Sequence, residues 1–412
     1  MQLLLPWYVL STTGSLLWTG FIAFCSLLPN IFSSLFGGQI IDKLGRSKTM
    51  LACELIQFIL LGLIPILIWR GIDYPWLIGL LIFLSSFFDA PGQLARTALA
   101  PTFSRYAEVP LSRTTGVVEA LDGFMAVFGP LLGGVLIAAA GLFASWLAVA
   151  AMCLMIVLLS VRIYSRRNKR TQPNPTTFRH ARDLLRKDDI LRQSILFTMP
   201  FFILGQSWEL LLVPGYIYHY GYGTVYLGLL GASFGLGAFL GAVRFARAAR
   251  KFKFFTLLTA NYAAYLLSVL VLYFNLPKPL VLAATVLCGM PFGAFSAMIS
   301  TLILLRAPEN VRGKILGLFG TASYTVESVC VLLIALLMHA AGLHATLAFI
   351  ALIFAGLVIW SITRRKDKDF WAATSGKTPL PPEEKIKKKQ QALLEYKAGT
   401  RVRRTAHLPQ TK

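Results

Sequence analysis

The chain is 412 residues long, and 56% of its residues are hydrophobic while only 14% are charged. This composition excludes a water-soluble globular domain and predicts a membrane protein with many spans. The formal net charge of +22 would also fit a nucleic-acid-binding protein, but the predicted span boundaries leave only Arg70 and Lys278 in outward-facing loops. Because basic residues concentrate in the cytoplasmic loops of membrane proteins, the charge requires no nucleic-acid partner.

The sequence lacks the usual features of metalloproteins and ATPases. Its five cysteines are scattered through apolar segments without CxxC spacing, so neither a disulfide framework nor a metal site is predicted. A GxxxxGK(S/T) phosphate loop is also absent, so the chain itself should not hydrolyse ATP. We therefore expect a protein that is not an enzyme and that carries no metal and no cofactor.

The first apolar segment is short. Residues 3–10 are apolar but cover only about a third of the length that a membrane crossing requires, and residues 11–14 have the composition of a loop. A half helix that starts at mid-membrane cannot satisfy its first N–H groups in lipid unless the protein buries it. We therefore expect a truncated first helix, either because the true start lies upstream or because this copy has lost its beginning.

Eleven longer apolar stretches follow, and no strand-like alternation competes with them, so the predicted fold is all-α. A segment with ten Lys and Arg, residues 162–192, follows the fifth of these stretches. When the short first segment is counted, the spans form two sets of six. The eleven predicted spans are 15–37, 49–69, 75–103, 111–139, 144–164, 191–218, 224–243, 254–274, 279–305, 313–339 and 345–362. The predicted domains are an N-terminal bundle, a basic cytoplasmic connector, a C-terminal bundle and a basic cytoplasmic tail, at 1–164, 165–190, 191–364 and 365–412.

The two sets of spans resemble each other. The pattern Leu3-Leu4-x-Pro6-x-Tyr8 recurs as Leu211-Leu212-x-Pro214-x-Tyr216, at an offset of 208 residues. Basic turns also follow both the second and the eighth span. These correspondences indicate a duplicated six-helix unit. The tail after the second unit is either a disordered, solvated segment or a short helix that lies on anionic lipid.

A charged turn follows the second span. Gly38 lies four residues before Asp42 on the same helix face, Gly45 permits a tight turn, and Arg46 and Lys48 place positive charge on the cytoplasmic side. We expect the second helix to end at Asp42. The pattern Gly, then Asp-(Lys/Arg)-x-Gly-Arg-x-Lys, resembles the loop between helices 2 and 3 of major facilitator superfamily transporters. An ordinary positive-inside loop is the alternative.

A glycine-rich motif marks the fifth span. Small residues allow close approach of a neighbouring helix, and the eighth span, with its own glycines, is the expected partner. The motif resembles that of the twelve-helix exporters and antiporters of the same superfamily, although Met125 stands where that pattern has a glycine. The residues of the motif are Gly116, Gly129, Pro130, Gly133 and Gly134, and the glycines of the eighth span are Gly231, Gly235, Gly237 and Gly241.

The resemblance covers nearly all of residues 3–365. Four runs are similar to the branch that contains macrolide-efflux and enterobactin-export proteins: Leu-Pro-Trp-Tyr-Val-Leu at residues 5–10, Asp89-Ala-Pro-Gly, the Gly-Pro-Leu-Leu-Gly-Gly of the fifth span and Pro308-Glu-Asn-Val-Arg312-Gly. This resemblance implies two six-helix halves around a central cavity and a small-molecule substrate, which it does not identify. We expect a monomer in the bacterial plasma membrane with a cytoplasmic C-terminus.

Ionisable residues inside spans are costly, and each is therefore a functional candidate. Arg96 and Glu119 lie at the same predicted depth on consecutive helices, so we expect a structural ion pair between them. Asp122, one turn deeper, is a second partner for Arg96 and a further candidate for binding protons or substrate. Glu54 is expected at the cytoplasmic interface. The remaining candidates are Asp89, Glu209 and Glu327.

The resemblance implies that the first, fourth, seventh and tenth helices line the cavity, where Asp89 and Glu209 can face water and substrate. A carboxyl group in a partly desolvated cavity can bind and release protons near neutral pH. Glu209 has no basic neighbour on its own helix, whereas Arg96 lies seven residues after Asp89. We therefore expect Glu209 to carry the proton, Asp89 to act as a substrate or gating carboxylate, and Glu327 to be the third candidate; a buried structural hydrogen bond is the alternative for each.

Three functions fit the sequence. The first is proton-coupled efflux of a small amphipathic organic molecule, in which Asp42 faces the start of the eleventh helix at Arg312 and controls the inward gate. The second is proton-coupled uptake, which uses the same structural parts. The third is a non-transporting membrane sensor or scaffold, which the acids at depth disfavour.

Overall fold

The computed structural model describes residues 3–72, 74–106, 111–163, 188–251, 254–306 and 309–363. Within these ranges the chain is helical with short turns and contains no strand, so the predicted all-α fold is confirmed. The elements are α1 (Leu4–Thr13), α2 (Leu16–Leu44), α3 (Arg46–Trp69), α4 (Pro75–Ser86), α5 (Asp89–Tyr106), α6 (Leu111–Ile163), α7 (Asp189–Ser207), a π-helical turn (Trp208–Leu212), α8 (Val213–His219), α9 (Thr224–Lys251), α10 (Phe254–Tyr273), α11 (Lys278–Arg306) and α12 (Glu309–Thr363).

Nine stretches of the described chain are long and apolar enough to cross a membrane. Two of them, within α6 and α12, each contain two helical segments, because the backbone reverses at Gly141 and at Gly342. The described helices thus provide eleven full passes, which are joined by the shorter α1 at the N-terminal side.

Residues with a left-handed backbone conformation form the turns between helices at one end of the bundle. Such a backbone conformation suits glycine, and asparagine tolerates it better than other residues do. The turns recur in the same order in both halves, as expected for a duplicated unit. They lie at Gly14 (φ +63°), Gly71 (+75°) and Gly141 (+78°), and again at Gly221 (+66°), Asn275 (+46°) and Gly342 (+80°). We call this end of the bundle the tight-turn end.

Three helices differ from the sequence prediction. The second helix continues to Leu44, beyond Asp42, and a single residue, Gly45 (φ +88°), separates it from α3. The fourth span is interrupted at residues 87–88, so that Asp89 starts a new helix, α5. The hydroxyl of Ser33 donates a hydrogen bond of 3.0 Å to the carbonyl of Phe87 at this interruption. The seventh span contains the π-helical turn.

The short α1 is part of the N-terminal core. Leu5, Tyr8 and Val9 are buried in a cluster with Ile64 of α3 and Trp146 of α6. The Tyr8 ring packs edge-on against that of Trp146, with 6.3 Å between the ring centroids. The protein therefore surrounds α1, which is the condition that a half-length helix needs in a membrane.

The two halves meet close to the tight-turn end. An added Cβ at Gly20 of α2 would lie 2.0 Å from the Cβ of Ala335 of α12, and one at Gly134 of α6 would lie 2.7 Å from the Cα of Gly228 of α9. Each of these four residues lies about 10 Å along its helix from a tight turn. Because lipid tails are as apolar as the side chains, such close packing, and not the exclusion of water, holds the halves together.

Candidate functional site

Glu209 lies in the π-helical turn of the seventh span. The N–H of Val213 reaches the carbonyl of Trp208 five residues earlier, and Pro214 follows directly. Proline lacks an N–H group and its ring clashes with the carbonyl four residues before it, so Pro214 favours a wider turn here. Single π-helical turns inside α-helices are frequent at functional sites. Sequence periodicity alone predicted a regular helix at this position.

The Glu209 side chain lines a cavity of about 40 Å³ between the two halves. Its neighbours there include Leu3 and Pro130 from the N-terminal half and Trp208 and Gly231 from the C-terminal half. The cavity is large enough for a few water molecules at about 10–15 Å³ each. Glu209 makes no hydrogen bond or ion pair with any residue that the structure describes. Its carboxyl group is therefore available for exchange with water or substrate.

Glu327 is the most enclosed of the predicted candidates, with only 4% of its surface exposed. It lies on α12 within electrostatic range of the phenols of Tyr324, on the same helix, and Tyr265, on α10. Tyr265 in turn lies within range of Cys288, which interacts with Glu209. These polar groups thus lie in the apolar core of the C-terminal half, within electrostatic range of one or the other acid.

Sequence reasoning missed several polar groups that are buried in the C-terminal half. The hydroxyls of Tyr265 and Ser207 and the indole N–H of Trp208 are buried and have no hydrogen-bond partner among the described residues. Buried polar atoms are nearly always hydrogen-bonded, so such groups mark a place where water, protons or a ligand complete the structure. One sequence feature could have revealed them: the run Gln206-Ser207-Trp208-Glu209 places four polar or amphipathic residues inside an apolar span.

Asp89 is exposed and lies in the first turn of α5, where the helix dipole favours negative charge. Tyr324 of α12 lies within electrostatic range of both Asp89 and Glu327. Asp122 of α6 is also exposed.

Arg96 of α5 forms an ion pair with Glu54 of α3. The close approach of these helices has a local cause, because a Cβ at Gly92, one turn before Arg96, would lie 3.2 Å from that of Cys53. The side chain of Glu54 is only 5% exposed and that of Arg96 is 45% exposed. Glu54 is thus buried within the protein, and its expected depth at the cytoplasmic interface stays a prediction.

The expected partner of Arg96 was Glu119, whose side chain lies outside the described residues. Glu54 and Glu119 lie at similar depths along their helices. Depth alone therefore could not show that α3 is close enough to α5 for Glu54 to pair with Arg96. The pairing of Arg96 with Glu119, with Asp122 as second partner, stays a prediction.

The observed pair predicts a specific stability pattern. Arg96→Met should cost about 1–3 kcal/mol, because it leaves a buried carboxylate without its partner. Adding Glu54→Gln to Arg96→Met should restore most of this loss, since neither charge then remains. Thermal unfolding of the purified variants in detergent measures the effect. Glu119→Gln in the same Arg96→Met background is the matched control. If Glu119→Gln restored the stability and Glu54→Gln did not, the partner of Arg96 would be Glu119 and not Glu54.

Only some residues of the glycine motif of the fifth span contact the neighbouring helix α9. Pro130 and Gly134 lie against Gly231 and Gly228 of α9, whereas a Cβ at Gly129 or Gly133 would have no neighbour within 4 Å. One turn before Pro130, the backbone carbonyl oxygen of Ala126 would lie 2.0 Å from a Cβ at Gly235. Gly237 and Gly241 face α11 instead, at Val286 and Met290. Gly116 lies outside the residues whose surroundings the structure describes.

The charged turn after α2 is only partly described. Arg46 is half-buried and Lys48 is exposed in the first turn of α3. The surroundings of Gly38 and the side chains of Asp42 and Arg312 lie outside the described part, as do most of the basic connector and the whole tail. The roles expected of them stay predictions.

Comparison with known proteins decides the family. The sequence model of the Major Facilitator Superfamily matches residues 2–329. The chain belongs to this superfamily. Its members are transporters of small molecules in lipid bilayers, and this one is a multi-pass membrane protein of the same type.

Curated relatives within the superfamily cover most of the chain. The multidrug efflux pump Tap of Mycolicibacterium fortuitum is 27% identical over 376 residues, which are 88% of this chain and 91% of the relative. The pump of the same name from Mycobacterium tuberculosis strain H37Rv is 26% identical over 88% of this chain and 89% of its own.

Solved structures share the fold at low identity. The crystal structure of the nucleoside transporter NupG matches with a TM-score of 0.68 and 13% identity, over 89% of this chain and 94% of that one. The D-xylose-proton symporter matches with a TM-score of 0.66 and 16% identity, over 92% and 97%. These matches confirm the major facilitator fold that the sequence motifs predicted.

Proposed function

We propose that this transporter exports a small amphipathic organic molecule by alternating access, driven by proton entry. The observation that carries the direction is the similarity to relatives named multidrug efflux pumps over 88% of the chain. Proton coupling is supported by Glu209, a carboxyl group in a π-helical turn that lines a cavity between the halves. Such an acid can be exposed to opposite sides of the membrane as the halves rock.

Each acid has a separate role in this proposal. Glu209 carries the proton, and Asp89, exposed at the start of α5, interacts with the substrate or the gate. Glu327 is the third candidate because it is buried on α12. Asp122 remains a further candidate. The proposed setting is a monomer in a bacterial plasma membrane with its C-terminus in the cytoplasm, as the basic connector and tail favour.

Dye accumulation with and without a proton uncoupler tests the proposal. Cells that express the chain should accumulate less ethidium, rhodamine 6G or Nile red than cells with an empty vector, and the uncoupler should remove the difference. Higher accumulation that the uncoupler lowers would identify an uptake symporter and contradict export. Equal accumulation of all three dyes under both conditions would contradict the proposal in favour of a sensor or scaffold.

A further inference from the structure

An apolar groove lies on the outside of the N-terminal half, between α3 and the second leg of α6. It has a volume of about 550 Å³. Its floor consists of the small or compact residues Gly62, Pro65 and Ala150, and its rim includes Ile59, Leu63 and Trp69. All of its lining side chains are apolar apart from the indole N–H of Trp69. The groove is separate from the cavity beside Glu209, which lies between the halves.

The groove has the dimensions of one membrane leaflet. Its α3 residues run from Phe58 to Trp69, the last residue of the helix at the tight-turn end. At 1.5 Å per residue this is about 16 Å, or roughly half of a 30 Å hydrocarbon core. The rim is open to lipid, since Ile59 is 51% exposed and Trp69 is 73% exposed.

A cation lies at the mouth of the groove. The guanidinium of Arg70 lies 5.7 Å from the ring centroid of Trp69, which forms the rim. The rings of Tyr74 and Trp76, stacked at 6.3 Å nearby, mark the headgroup level, where exposed Tyr and Trp collect. Arg70 makes no ion pair with a residue that the structure describes. Asp73, in the same turn, lies outside the described residues.

The other basic residue of the predicted outward loops, Lys278, lies against two tyrosine rings of the C-terminal half. The ammonium of Lys278 lies 4.6 Å from the ring centroid of Tyr222 and 5.6 Å from that of Tyr226. Arg70 differs from Lys278 because it stands directly above an apolar groove. A guanidinium binds phosphate through paired hydrogen bonds, and the adjoining groove accepts a hydrocarbon chain.

We propose that this groove binds one acyl chain of an anionic phospholipid, whose phosphate group pairs with Arg70. The site goes beyond the proposed transport function and belongs to the leaflet at the tight-turn end. The lipid is held by two features that act together, an apolar channel of one leaflet's depth and a cation at headgroup level. A zwitterionic headgroup carries the same phosphate, but its own ammonium group repels the guanidinium of Arg70, so binding favours anionic over zwitterionic headgroups with the same acyl chains.

Native mass spectrometry of the full-length protein tests the site. The purified protein is given phosphatidylglycerol or phosphatidylcholine with identical acyl chains at equal concentration, and the bound lipids are counted. Gly62→Leu should fill the groove without a clash, because an added Cβ there meets only Phe58 at 3.8 Å. Gly356→Leu is the matched control, since Gly356 is an exposed helix glycine of α12 with no neighbour within 4 Å.

We expect the unaltered protein and Gly356→Leu to retain one more phosphatidylglycerol than phosphatidylcholine. Gly62→Leu and Arg70→Gln should each lose that additional lipid. Equal retention of the two lipids by the unaltered protein would overturn the proposal, as would full retention by Gly62→Leu or by Arg70→Gln. A dimer that disappears in Gly62→Leu would also overturn it, because the groove would then be covered by a second copy of the chain.

Discussion

Glu209→Gln should abolish uphill efflux while leaving substrate exchange intact. Glutamine has nearly the same size as glutamate and can still form hydrogen bonds, but it cannot bind and release a proton. If Glu209 is the proton carrier, the variant loses every step that requires net proton movement. Uphill transport in proteoliposomes, driven by an imposed pH difference, should therefore fall to the level of liposomes without protein.

Exchange of labelled for unlabelled substrate across the same proteoliposomes requires no net proton movement. A merely structural role for Glu209 would reduce this exchange together with uphill transport, whereas a proton carrier would reduce only the latter. Glu209→Asp is the matched variant, because it keeps a carboxyl group in the π-helical turn and should retain measurable uphill transport. Uphill transport by Glu209→Gln with unchanged pH dependence would show that the assignment is wrong, and Glu327→Gln would be the next variant to test.

The fold could be predicted because membrane helices leave a strong signal. Long apolar stretches and basic loops on one side each reflect the cost of exposing backbone or charge to lipid. The same physics did not predict the interruption of the fourth span at residues 87–88 or the π-helical turn at 208–212. Both depend on how individual carbonyls are satisfied by neighbouring helices, as with the bond from Ser33 to Phe87.

The sequence could identify the acidic residues of the candidate site but not the residues with which they pair. An acid inside an apolar span stands out in the sequence, and the structure places Glu209 and Glu327 in the interior of the protein. Which cation an acid meets depends instead on which helices are neighbours. Arg96 pairs with Glu54 because α3 and α5 approach closely at Cys53 and Gly92.

Gly134→Ala should destabilise the protein, whereas the same change at its neighbour Gly133 should not. A Cβ at Gly134 would lie 2.6 Å from the carbonyl oxygen of Thr224 and 2.7 Å from the Cα of Gly228. Both contacts are backbone atoms of α9, which cannot move aside without separating the helices. Overpacking of this kind typically costs about 1–3 kcal/mol.

At Gly133 the added methyl group would meet nothing within 4 Å, and alanine is favoured over glycine in a helix by up to about 1 kcal/mol. Thermal unfolding in detergent should therefore rank Gly133→Ala at or above the unaltered protein and Gly134→Ala below it. Because Gly134 and Gly228 join the two halves near the tight-turn end, Gly134→Ala should also reduce the fraction of molecules in which this contact is closed. Equal melting temperatures for the two variants would show that α6 and α9 do not pack through Gly134, and the partner of the glycine motif would have to be sought on another helix.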